Sequence, residues 1–126
     1  MTVYISGPIS GRPDNNKLGF QSAMKRLWEL KRTTQFCGMK IINPLTHIAK
    51  KLDRQFAAKS QKPEWVDYMR ACIKKLVEAD CVFFLDDWAK SDGASIERYI
   101  AKRLGIPIAD TIAELKKILE GKNEFR

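Results

Sequence analysis

Apolar positions along this chain follow two rhythms that take turns. Short runs of β-branched, aromatic and aliphatic residues at 2–5, 39–42, 81–85 and 106–108 read as buried strands, and turn residues bound them. Ser6-Gly7-Pro8 stops the first run and Asn43-Pro44 the second. Between the runs the spacing is helical. Phe20, Ala23, Met24, Leu27 and Leu30 share one face, with Leu18 and Trp28 outside it, and Asp14 or Asn15 stands where a cap is needed. That helix is predicted to end near Arg32. Trp65, Met69, Ile73, Leu76 and Val77 recur in the same way up to Ala79-Asp80, and Pro63 suits the first turn. A third helix follows the turn at 91–97, with Ile100 and Leu104 toward the core and Gly105 as its end. Residues 111–119 predict a last helix and 120–126 a polar tail. Residues 47–59 are polar and weakly periodic, and read either as a helix or as a mobile flap.

Strands that alternate with helices predict an α/β fold. The expected form is a three-layer sandwich with a four- to five-stranded parallel sheet, flavodoxin- or Rossmann-like, spanning residues 1–126 as a single domain. Ligands of such sheets bind at the carboxyl ends of the strands. That rule gathers residues 6–11, Asn43, residues 86–88 and residues 91–97 along one edge.

Composition narrows the function classes. The 126 residues are 44% hydrophobic and 30% charged, as in ordinary globular proteins. No apolar run approaches the roughly 18 residues of a membrane helix, and no basic region precedes the first apolar residues, so a cytoplasmic protein without membrane attachment is expected. Three cysteines, Cys37, Cys72 and Cys81, form no C-x-x-C pair and have no histidine at metal spacing, so neither disulfides nor a metal is expected. The net charge of +8 favours anionic partners. Its lysines and arginines are nevertheless dispersed, without the interleaved aromatics of a single-strand platform, so solvated helix faces are the preferred reading over nucleic-acid binding.

The chemistry concentrates in two loops. Ser6-Gly7-Pro8-Ile9-Ser10-Gly11-Arg12 follows the first strand and offers two glycines, two hydroxyls and a guanidinium. It lacks the Gly-Lys-[Ser/Thr] of a Walker loop and the G-x-G-x-x-G of a dinucleotide site, and by itself is equally well a turn. Ser91-Asp92-Gly93-Ala94-Ser95-Ile96-Glu97 joins the third strand to its helix, where free N–H groups and the helix dipole favour anions. Glu97, one turn into that helix, is positioned as the reactive group. His47 is the only histidine, which disfavours Ser-His and His-metal mechanisms.

Taken in order, Tyr4 to Gly11, Asn43-Pro44, the stretch from Trp65 to Arg70, Ala79-Asp80, and Trp88 to Glu97 with Ala101 to Pro107 resemble the nucleoside 2-deoxyribosyltransferase superfamily. The likeness is closest to its small branch, common in phages and bacteria, whose substrates are largely unassigned. The resemblance implies that Glu97 is the nucleophile at a sugar's anomeric carbon, that Tyr4 presents its hydroxyl to the sugar or to Glu97, and that no cofactor is used. It implies a pocket formed by Ser6, Gly7, Pro8, Ile9, Ser10, Gly11, Asp86, Trp88, Ser91 and Gly93; a nucleotide hydrolase of this kind would hold a 5′-phosphate at Ser10, Ser91 and Gly93, whereas a free-nucleoside transferase has none to hold. It also implies a homo-oligomer, dimeric or larger, and a nucleotide or nucleoside as the small-molecule partner.

One position departs from the pattern. Active relatives commonly place an acidic residue near Cys72, so that role is either unfilled here or has moved to Asp67, Asp86, Asp87 or Asp92. Asp92 is preferred because it shares a turn with Ser91 and Gly93, and its alternative role is a helix cap. Core filling is the alternative for Cys72 and for Tyr4, and a lid over core residues is the alternative for Trp88. Two function classes follow: cleavage or transfer of an N-glycosidic bond, 5′-monophosphate favoured, or a catalytically weak module that binds or sequesters a nucleotide.

Overall fold

In a computed structural model that describes residues 1–9 and 12–124, four parallel strands form one sheet in the order β2-β1-β3-β4. The strands are β1 (Thr2–Ser6), β2 (Lys40–Ile42), β3 (Cys81–Phe84) and β4 (Ile108–Ala109). Helices α1 (Lys17–Lys31), α2 (Lys50–Ala57), α3 (Trp65–Leu76), α4 (Asp92–Arg103) and α5 (Ile112–Glu124) connect or follow them. This is the predicted α/β architecture, of flavodoxin- or Rossmann-like form, with four strands. The chain runs outward from β1 to β2, then returns across β1 to place β3 on its other side. The order therefore reverses at the β1/β3 boundary, where a crevice opens beyond the strand ends.

Side-chain parity on the two central strands sorts the core into two halves. Val3 and Ile5 of β1 join Cys81 and Phe83 of β3 on the face covered by α1 and α5, through Phe20, Leu27, Leu115 and Leu119. Tyr4, Val82 and Phe84 face the other way, against Cys72 and Leu76 of α3 and Ala101 of α4. β3 is buried throughout and β1 is buried from Val3 to Ser6, as parallel strands covered on two faces require.

Local chemistry sets the boundaries and corrects several expectations. The predicted face of α1 is the buried one, and Leu18 and Trp28 are exposed. Its cap differs: Asp14, Asn15 and Asn16 all adopt positive φ, and Asn16 occupies the N-cap position without a side-chain cap bond. Asp and Asn tolerate that left-handed backbone better than other non-glycine residues. Of residues 47–59, the stretch up to Ala57 is helical and the last two form a turn. A π-helical turn (Pro44–Ala49) leads into α2, and the Asn43 side chain accepts a hydrogen bond from Leu45 N–H.

Pro63 precedes α3 rather than opening it, because Glu64 is the N-cap and its N–H donates to Asp67 at 2.8 Å. Leu104 is 59% exposed: α4 ends at Arg103, and the turn through Gly105 at φ +70° swings Leu104 off the core-facing stripe. The expected polar tail is helical as far as Glu124.

Gly7 marks where β1 leaves the sheet beside Leu85. A Cβ built there meets Leu85 Cδ1 at 2.7 Å and Leu85 Cβ at 2.8 Å, and the latter cannot rotate away. Gly7→Ala is therefore expected to lose roughly 1–3 kcal/mol of stability, read as a lower urea midpoint. An unchanged midpoint would mean that this loop is free to move.

Candidate active site

The crevice at the β1/β3 boundary is a cavity of about 570 Å³. Tyr4 and Gly7 form its floor at the end of β1, α3 supplies one wall through Trp65, Tyr68, Met69 and Cys72, and the first turns of α4 supply another. The turn and helix between Pro44 and Asp53 close the remaining side. Cavities of this size accommodate drug-sized molecules.

Glu97 lies at the base. It projects from the second turn of α4 with only 6% of its surface exposed, and Ser6 Oγ donates to its Oε1 at 2.9 Å. Parity explains the meeting. Tyr4 and Ser6 point to the same side of β1, the side on which α3 and α4 pack. Glu97 Oε2 and the Tyr4 hydroxyl are both buried, and neither has a partner of hydrogen-bonding geometry among the described residues.

Burial controls the protonation of the three ionisable groups here. Removal from water pushes the Glu97 carboxyl from 4.5 up to about 7, against the opposing pull of the nearby Tyr4 hydroxyl and the Ser6 hydrogen bond. The same desolvation raises Cys72 to about 11, and it raises Tyr4 well above its ordinary value, with the Glu97 charge adding to the rise. Thiol and phenol thus remain protonated at neutral pH, and Glu97 is the group that titrates there.

The predicted site residues divide. Tyr4, Gly7, Ile9, Ser91, Asp92, Gly93 and Glu97 line the cavity together. Ser6 stands behind them and reaches the site through Glu97. Ser10 and Gly11 lie outside the described residues. Pro8 and Asp86 are not part of the lining, and neither is Trp88. Trp88 instead packs edge-on against Phe84 at 5.9 Å, beneath the Arg98 guanidinium at 4.1 Å, so it covers core residues.

Ser91 is the cap of α4, its Oγ accepting from Ala94 N–H at 3.2 Å. Asp92 is thereby freed from capping and stands exposed at the rim as the first residue of the helix. Asp67 is engaged as the cap partner of Glu64, and Asp87 pairs with Arg12 and Lys90 at the surface. Of the four acids weighed for the role missing at Cys72, Asp92 alone faces the cavity.

The sequence reading missed the α3 wall and Asp53. Trp65 and Met69 carry a periodic signal, but an apolar stripe looks the same whether it faces a core or a cavity. The Tyr68 hydroxyl donates to Asp53 across the mouth. His47 is occupied locally, its Nδ1 accepting from Asn43 N–H at 2.9 Å. Among the described residues, no group of three His, Cys, Asp or Glu side chains is arranged to hold a metal, and no helix is long and apolar enough to cross a membrane.

The chain belongs to the family whose model is described as Domain of unknown function (DUF4406), which matches residues 1–110 and so includes all the cavity residues named above. No curated protein and no solved structure matches the chain.

Because Glu97 holds its proton more tightly folded than unfolded, its contribution to stability is complete below about pH 4.5 and is lost as pH rises through about 7, a change of roughly 3 kcal/mol. Glu97→Gln removes that dependence. Its stability relative to the wild type is expected to grow between about pH 5 and pH 8 in urea denaturation, and equal differences at both pH values would show a carboxyl that titrates as if exposed.

Proposed function

We propose that this member of the DUF4406 family cleaves or transfers the N-glycosidic bond of a nucleoside or nucleotide, with Glu97 as the nucleophile. The observation that carries the reading is a buried carboxylate with one oxygen held by Ser6 and the other unpartnered at the base of a cavity. A buried, unpaired ionisable group is costly, and function is the usual reason for keeping one.

In the first step Glu97 Oε2 bonds to the anomeric carbon while the carbon–nitrogen bond breaks. Its electron pair leaves with the base, which takes a proton from solvent water, with Asp92 at the rim to orient that water. In the second step water attacks the same carbon, the glycosyl ester opens, Glu97 regains its carboxylate and the water's proton is released. A second base in place of water gives exchange. Ser6 fixes the direction of attack, and the Tyr4 hydroxyl is placed to donate to the sugar or to the developing charge.

A 5′-phosphate, the preferred form, has its place at the start of α4. The N–H groups of Asp92 and Gly93 are not used by intrahelical bonds there, and Lys90 stands beside them at the cavity. Ser91 and the positive net charge support the same assignment. A cytoplasmic homo-oligomer remains part of this reading.

A second reading rests on Cys72. With the thiol and the Tyr4 phenol both protonated beside Glu97, and Asp92 out at the rim, the base of the cavity has no second carboxylate to protonate a leaving group. A module that binds a nucleotide without rapid turnover fits that arrangement.

Incubation with a panel of nucleosides and 5′-monophosphates, followed by chromatography for free base, separates the two. Release is expected, with loss on the order of 10³-fold or more in Glu97→Gln. kcat/KM is expected to rise as pH passes through about 7 and Glu97 ionises. Tight binding of intact ligand without release would select the second reading, and a pH profile flat from about 5 to 9 would remove Glu97 from the chemistry.

A further inference from the structure

The α3 wall of the cavity has a direction. Tyr68 and Met69 stand side by side, three or four residues from both Trp65 and Cys72, and all four line the cavity along one stripe of the helix. Cys72 lies at the inner end, beside Tyr4 and Glu97. Tyr68 is one turn farther out, about 6 Å along the helix axis. That is comparable with the reach from a sugar's anomeric carbon to the far edge of its base. Trp65 and Met69 flank the path with an indole and a thioether, surfaces on which a planar ring packs.

At the outer end stand Tyr68 and Asp53, joined across the mouth by a bond that the tyrosine hydroxyl donates to Asp53 Oδ1. The direction of that bond matters. Burial and the Asp53 bond raise Tyr68 to about 12, so the phenol keeps its one proton and spends it on the carboxylate. What the pair still offers a ligand is therefore acceptors only, namely the second carboxylate oxygen of Asp53 and the lone pair of the Tyr68 oxygen. Asp53 projects from α2, a helix with no buried residue, so its carboxylate is open to a ligand from the solvent side.

We propose that Asp53 and Tyr68 form the base-reading end of the cavity and select nucleobases that carry an exocyclic amino group. An amino group has two N–H donors and can satisfy both acceptors at once. A carbonyl in the same place would set its oxygen against a carboxylate. The inference rests on the N-glycoside reading above and adds the substrate class: amino-bearing bases of the cytosine or adenine type, in preference to uracil or hypoxanthine.

The test compares ligand pairs that differ only in that group, cytosine against uracil and adenine against hypoxanthine nucleosides and their 5′-monophosphates. Equilibrium binding is measured calorimetrically on Glu97→Gln, so that no ligand is consumed. Amino members are expected to bind roughly tenfold tighter. Adding Asp53→Asn, which can turn an amide donor toward the ligand, is expected to abolish or invert the preference, and adding Tyr68→Phe to reduce it. Asp53 lies on an exposed helix, so an unchanged melting temperature confirms that the variant is folded. Nucleotide binding without a base preference, or a preference that Asp53→Asn preserves, would overturn this inference and leave the N-glycoside reading intact. Failure of every nucleoside and nucleotide to bind would overturn both.

Discussion

A strand buried on both faces at the middle of a parallel sheet has to divide its side chains by parity, and β1 is the strand on which this site depends. Its odd residues fill the half of the core under α1 and α5. Its even residues face α3 and α4, and the alternation continues from Tyr4 to Ser6 at the point where the sheet ends. Thus the same register that packs Val3 and Ile5 delivers two hydroxyls to the crevice. A slip of one residue would send Tyr4 and Ser6 into the apolar half and leave Glu97 with no partner.

The hydrogen bond from Ser6 to Glu97 links residues 91 apart in sequence and joins the central strand to α4. It offsets only part of the cost of burying the carboxyl, which is why desolvation still dominates the protonation of Glu97. The helix must therefore be held elsewhere. Arg98, the next residue, projects about 100° farther round the helix, away from the cavity. It forms a two-pronged pair with Asp110 at 2.7 and 2.9 Å and stacks over both Trp88 and Phe84. That pairing in turn holds the Asp110 carboxyl below its ordinary range. Adjacent residues of α4 thus do opposite work, one strained by burial and the other anchored by charge and stacking.

The sequence made legible whatever repeats with a period of two or 3.6. The parallel α/β architecture, the buried face of α1 and the convergence of Glu97 with the first loop all follow from such patterns. Residues 44–57 escaped because neither rhythm applies to them: a π-helical turn shifts the phase, and α2 buries nothing that would mark a face. Leu104 misled for a related reason, since its spacing from Ile100 is helical but the helix stops one residue before it. Trp88 is an aromatic near a ligand-binding edge by position, and only the Arg98 guanidinium over its ring reveals that its face is already taken. Capping is decided by which oxygen reaches an N–H, so Ser91 rather than Asp92 takes that position, a choice that composition does not record.

Charge separates into two ranges that sequence alone merges. The whole chain carries +8, yet the described lining of the cavity sets Asp53, Asp92 and Glu97 against Lys90 alone. The positive exterior acts over roughly a Debye length, about 8 Å at physiological salt, and so governs how often an anion arrives. The carboxylates that line the cavity act at contact and reward ligands that bring hydrogen-bond donors. An anionic ligand with a donor-bearing edge satisfies both, provided its anion stays at the N-terminus of α4 and its donors reach Asp53 at the mouth. Phosphate alone would gain from the first field and lose in the second. Selectivity at this site accordingly depends on how charge and donors are distributed within one ligand, and net charge by itself is a poor guide to what the cavity holds.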